Sequence, residues 1–130
     1  MKTNLSGKED YTYNPNIQFP DPKAPGTFQG HRRKDGSVGI RNEIWIIPSV
    51  GCVNDVAKAL VAENQDLVTG SIESLYCFPH PFGCFQTGAD HAQTRKLLAA
   101  LTKHSNAGGV LVLGLGYENL TREQFTEELG

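Results

Sequence analysis

Residues 44–61 read IWIIPSVGCVNDVAKALV. Ile44-Trp45-Ile46-Ile47 is a continuous β-branched and aromatic run, the composition of a strand buried on both faces. Pro48 and Gly51 stop it. Val53, Val56, Ala57, Leu60 and Val61 then recur at helical spacing, with Ser49 or Asn54 placed to serve the first turn. A strand feeding a helix is one half of a parallel βα crossover, and the pattern repeats. SIESLYCF (71–78) is a second strand, followed by the loop HPFGCFQTG and a helix from about Ala89 to His104. GVLVLGL (109–115) is a third, followed by GYEN and a short helix to Leu129, with Thr121 as N-cap and Gln124 in the capping-box position. Three βα units with continuous apolar strands predict an α/β fold: a parallel, three-layer-type sheet with right-handed connections, resembling half of a Rossmann fold.

Upstream of this sheet the texture differs. In FQGHRRKDGSVGIRN (28–42), Asp35-Gly36 sits between two short runs, a two-residue hairpin signal that predicts a β-ribbon. Residues 1–27 are polar and Pro-rich and read as an extended arm, with Tyr11, Tyr13, Ile17 and Phe19 available to lie against another surface. The expected organisation is therefore an arm over 1–27 and an α/β domain over 28–130. The last helix presents Leu120, Phe125 and Leu129 with little sequence left to cover them, which suggests a piece of a longer chain.

The 130 residues suit one core, and 38% hydrophobic with 20% charged excludes global disorder and coiled coil. A net charge of −2 lacks the basic excess of a nucleic-acid binder, so no such partner is expected. The apolar runs fall far short of the roughly 20 residues of a membrane helix. The first residues contain no apolar leader, and three cysteines, an odd number, suit a reducing compartment; a cytoplasmic location is expected.

In open parallel sheets, ligands gather outside the carboxyl ends of the strands, where helix N-termini and loop backbone converge. Three loops qualify: Pro48–Cys52, Pro79–Cys84 and Gly114–Asn119. Cys52 and Cys84 each follow a glycine near a helix start, a setting that favours thiolate and so a nucleophile or a metal ligand, although free cysteine is also a common small core residue. Cys77, within a strand, reads as core. His80 lies between two prolines, four residues before Cys84, and is either a chemical group or a hydrogen-bonded loop histidine. Asp90-His91 could supply a base with its orienter or simply compensate a helix dipole. No CxxC pattern marks a structural zinc, and Gly114-Leu115-Gly116 lacks the Lys and third glycine of a phosphate loop. Arg32, Arg33, Lys34 and Arg41 could grip a carboxylate or be solvated.

Taken together, TNLS (3–6), RRKDGSVGIRNEIWIIPSVGCVN (32–54), HPFGC (80–84) with the following ADHAQTR (89–95), and SNAGGVLVLGLGYEN (105–119) resemble the sugar-acid dehydratase family that includes altronate and galactarate dehydratases. Four ordered blocks at compatible spacing make the likeness specific, although DGxxGxRN and HxxGC are modest motifs singly.

The resemblance implies a hydro-lyase that removes water from a hexonate, D-altronate giving 2-keto-3-deoxy-D-gluconate, with Fe²⁺ or else Mn²⁺. A proton beside a carboxylate is poorly acidic, so the chemistry wants an electrophile at the carboxylate, a base for the proton and help for the departing 3-hydroxyl. The matching positions are Arg41 and Asn42 for the substrate carboxylate, Cys52, Cys84 and His80 for metal, and His80, Arg41, His91 and Glu118 for catalysis. The expected partners are a sugar acid, the N- and C-terminal domains of the same enzyme, and a further copy in a homo-oligomer. Members of the family usually read GLGCE where this chain reads Gly114-Leu115-Gly116-Tyr117-Glu118, a phenol in place of a thiol. A second reading is therefore a non-catalytic sugar-acid-binding or assembly module that has lost its metal. A third is a thiol hydrolase pairing Cys84 with His80.

Overall fold

The computed structural model describes Asn16, Lys23 and residues 26–130. The arm's aromatic residues, Tyr11, Tyr13 and Phe19, and Ile17 lie outside the described residues. A short antiparallel ribbon opens the domain, β1 (His31–Arg32) pairing with β2 (Val38–Gly39). Its turn is longer than the two-residue hairpin expected at Asp35-Gly36. The Gly36 amide donates to the Arg33 carbonyl and the Arg33 amide to that of Ser37. Gly36 then takes φ +89°, which a side chain would resist. The Asp35 carboxylate accepts from the Ser37 amide and hydroxyl, an Asx-type lock that also holds its pKa below the ordinary value.

The main sheet has β3 (Glu43–Pro48) at its centre, with β4 (Ser74–Cys77) on one side and β5 (Ala107–Leu113) on the other, both parallel to it. All three predicted strands are present. The chain passes from β3 through α1 (Asn54–Glu63) to β4 on one side, then from β4 through α2 (Gly88–Thr102) past the central strand to β5 on the other. The apolar run of β3 is explained by two cores. Trp45 and Ile47 pack with Leu98 of α2 and with Leu120 and Phe125 at the chain's end, while Ile46 packs with Ala57 of α1 and Leu75. Successive side chains of a strand alternate faces, so α1 lies on one face of the sheet and α2 on the other with the last helix.

That last helix, α3 (Arg122–Leu129), carries the predicted capping box: the Gln124 amide donates to Thr121 Oγ1, and the Thr121 amide to Gln124 Oε1. Its apolar face is covered, against expectation. Leu120 and Phe125 are buried, Leu129 packs on the same core, and Arg95 of α2 bridges to Glu128 at 2.8 Å. The sequence pattern shows the stripe but not that α2 lies alongside it. Val56, expected inside with the rest of its helical set, is 52% exposed. Cys77 packs at the core beside Leu75, as read. Among the described residues no helix is long and apolar enough to cross a membrane.

Candidate functional site at the carboxyl edge of the sheet

The chain runs from β3 through Ser49-Val50 into a 3₁₀ turn, Gly51–Val53, before α1 begins. Neither Ser49 nor Asn54 caps that helix. Both side chains are committed elsewhere, and these commitments build the site. Asn54 Nδ2 donates to the His80 carbonyl at 2.9 Å, and Asn54 Oδ1 accepts the His80 amide at 3.3 Å. The Gly51 amide donates to the Phe82 carbonyl at 2.7 Å. The first two loops are thus zipped together backbone against backbone.

The glycine before each cysteine makes this approach possible. A Cβ on Gly51 would stand 2.8 Å from the His80 carbonyl oxygen; one on Gly83, which sits at φ +119°, would stand 2.9 Å from Val50. With both absent, Cys52 and Cys84 meet, their sulfurs 2.9 Å apart and both side chains exposed. The contact with Cys52 pushes the Cys84 thiol above its ordinary value, assisted by partial desolvation and by the negative charge of Glu118. Either sulfur can donate its proton to the other. Beside the pair lies an open pocket of about 310 Å³ lined by Gly51, Cys52, Asn54, Phe82, Cys84 and Phe85. Phe85 is 97% exposed.

The third loop is joined through Glu118. Its carboxylate accepts the Ser49 hydroxyl at 2.7 Å, the Gly116 amide at 2.6 Å and the Leu115 amide at 3.1 Å. Burial pushes the Glu118 carboxyl up, but these donors outweigh it and leave its pKa below the ordinary range. Asn119 Nδ2 donates to the Gln86 carbonyl at 2.9 Å, tying the third loop to the second. Every pair of loops is therefore bonded. Tyr117 stands on this rim, 83% exposed.

Several expected roles meet a different arrangement. Both nitrogens of His80 are engaged with backbone: Nε2 contacts the Pro48 carbonyl at 2.8 Å, and Nδ1 faces the Phe82 amide at 3.3 Å. A carbonyl only accepts and an amide only donates, so Nε2 carries the hydrogen and Nδ1 does not. In this state neither nitrogen is open to a proton or a metal, and the Cys84–His80 pair of a thiol hydrolase is not formed. His80 acts here as a loop staple. His91 lies in the first turn of α2, its Nε2 buried without a hydrogen-bond partner, and no bond joins it to the exposed Asp90.

Arg41 and Asn42 lie at the other end of the sheet. They precede β3 while Cys52 follows it, and six strand residues span roughly 20 Å. Arg41 pairs with Glu43 and Glu73, each at 3.0 Å. Asn42 donates to the Ser71 carbonyl and accepts from Arg33 at 2.7 Å. Glu43 also receives the Trp45 indole N–H at 2.8 Å. Burial pushes the Glu43 carboxyl up, but Trp45 and Arg41 together hold it below its ordinary value. These residues fasten the ribbon to the sheet and share no site with the thiols in this chain. The loop-joining roles of Asn54, Ser49 and Asn119 were not visible in sequence, since a polar loop side chain carries no local mark of its distant partner.

A metal ion held by side chains needs several converging donors. Cys52 and Cys84 converge, but Glu118 and His80 spend their atoms on hydrogen bonds. Among the described residues no group of three or more His, Cys, Asp or Glu side chains gathers. The described residues do not by themselves fit an iron or manganese centre.

A parallel α/β sheet with a thiol pair and an ordered carboxylate on its carboxyl rim is a site of the kind expected in α/β enzymes. The comparisons sharpen this to a family. The family model described as "D-galactarate dehydratase/Altronate hydrolase, second domain" matches residues 30–130, and the chain belongs to that family. It is 44% identical to the altronate dehydratase of Escherichia coli (strain K12) over 99% of this chain, and 42% identical to that of Bacillus subtilis (strain 168) over 98%. It is also 34% identical, over 68% of its length, to the (2R)-sulfolactate sulfo-lyase subunit beta of Chromohalobacter salexigens. The chain spans 27% and 26% of the length of the two altronate dehydratases. No solved structure matches it.

Proposed function

We propose that the chain acts as the second domain of a hydro-lyase that dehydrates D-altronate to 2-keto-3-deoxy-D-gluconate. One observation carries the reading: Cys52 and Cys84 meet where three βα loops converge, in a chain 42–44% identical along nearly its whole length to two altronate dehydratases. The reaction removes a proton beside a carboxylate and expels a hydroxyl from the next carbon. This domain's contribution is a rigid rim with two exposed thiols and a pocket beside them. Donors for a divalent metal, and the group that grips the substrate carboxylate, then come from outside the described residues, because Arg41 is turned to Glu43 and Glu73 at the far end of the sheet.

The test follows keto-acid formation from D-altronate by reduced protein, with and without Fe²⁺ or Mn²⁺, alongside thermal melting with and without the sugar acid. Keto acid that disappears in Cys52→Ser and Cys84→Ser variants of unchanged melting temperature is the expected result. Absence of both turnover and stabilisation by altronate defeats the reading. Stabilisation without turnover favours the non-catalytic sugar-acid-binding module, which is supported by the two-donor set and by Tyr117 on the rim.

A further inference from the structure

We propose that Cys52 and Cys84 form a reversible intramolecular disulfide, making the rim of this domain a modification site for two-electron oxidants of the hydroperoxide class. The two sulfurs stand 2.9 Å apart. Two thiolates sharing one tetrahedral metal at the usual metal–sulfur length of about 2.3 Å stand roughly 3.7 Å apart. A disulfide bond is about 2.05 Å long. The pair is thus closer than metal-sharing thiolates and under 1 Å from bonding. Both side chains are exposed, so a small oxidant reaches them without the domain opening.

Either exposed sulfur can react first, since the other stands 2.9 Å away in both cases. Where Cys52 leads, its thiolate attacks one oxygen of the hydroperoxide. An S–O bond forms, the O–O bond breaks, and Cys52 becomes a sulfenic acid while hydroxide or alkoxide leaves. The Cys84 sulfur then attacks the Cys52 sulfur. The S–S bond forms, the S–O bond breaks, and the departing hydroxide leaves as water with the Cys84 proton. The two thiols lose two electrons and two protons, and with hydrogen peroxide the by-products are two waters. A small thiol returns the pair to its reduced form by exchange.

The third cysteine provides an internal control. Cys77, the last residue of β4, is half-buried against the core beside Leu75, and among the described residues the sulfur–sulfur contact is between Cys52 and Cys84, not Cys77. Because the oxidation concerns only the rim, it holds whether or not the dehydratase reading does.

The experiment treats the folded, fully reduced chain with hydrogen peroxide, quenches it, then denatures and alkylates it before peptide mapping. Alkylatable thiols are expected to fall from three to one, with a Cys52–Cys84 linked peptide that dithiothreitol reverses. The Cys77→Ser variant is expected to give the same linked peptide, whereas Cys52→Ser and Cys84→Ser give none. Three thiols surviving a dose that oxidises the urea-unfolded chain would overturn the proposal. So would a linkage that involves Cys77 or joins two molecules. The principal readout is on the unaltered protein, so misfolding of a variant does not blur it.

Discussion

Asn54 faces His80 across the first two loops with both ends of its carboxamide in use, donating to the carbonyl and accepting from the amide of the same residue. The side chain imitates a strand partner and holds the thiol-bearing loops in register. Asn54→Asp keeps the shape but sets a carboxylate oxygen against the His80 carbonyl. A loss of about 1–3 kcal/mol in urea unfolding is expected, with faster alkylation of Cys84 in the folded protein. Unchanged alkylation would mean that the loops are held by Gly51 and Phe82 alone.

Glu118 makes stability depend on acidity in a defined direction. Its folded pKa lies below the unfolded value of about 4.3, so the stability it contributes is complete above that value. It is lost as pH falls through the lower, folded value. Glu118→Gln turns an amide toward the Leu115 and Gly116 donors and is expected to cost about 1–3 kcal/mol at neutral pH. Melting curves of the variant and the parent should converge under acid. A gap that widens as pH falls would contradict this assignment.

Arg33 anchors the ribbon with three separate donors, Nε to the Ser105 carbonyl, Nη1 to Asn42 and Nη2 to the Arg41 carbonyl. A lysine has the charge but not the planar fork. Arg33→Lys is expected to lose about 2 kcal/mol and to increase hydrogen exchange at the Glu43 amide, which donates to Asn106 next to Ser105. Exchange at the Cys52 end should stay unchanged, since it lies at the other end of the strand.

Gly83→Ala tests the close approach directly. The new methyl meets Val50 at a backbone angle that side chains avoid, for an expected cost of order 1–3 kcal/mol. If the loop yields, the sulfurs separate, and bismaleimide or peroxide linkage of Cys52 to Cys84 should slow. Equal linkage rates in the variant would show that the glycine is not what brings the thiols together.

The fold was legible because its signals are local: the apolar run 44–47, the repeated strand-helix rhythm and the Thr121–Gln124 box each act within a few residues. The two rim cysteines were legible for a related reason, as each follows a glycine in an equivalent loop. What sequence could not convey was who faces whom. His80 looked chemical because prolines frame it, yet its nitrogens are spent on Pro48 and Phe82. Arg41 looked like a substrate grip, yet the polarity of a parallel sheet sends it to the end away from the cysteines. The deciding pairings are long-range, His80 with Pro48 across 32 positions, Asn54 with His80 across 26 and Ser49 with Glu118 across 69, and only the assembled sheet settles them.

The ring of bonds through Asn54, Glu118 and Asn119 leaves Tyr117 outside it. Position 117 is carried by a scaffold that does not depend on its side chain, so a phenol or a thiol can stand there while the rest of the rim keeps its form. Chemistry at this edge is thereby separable from folding: the family can revise one tooth of the comb without loosening its spine.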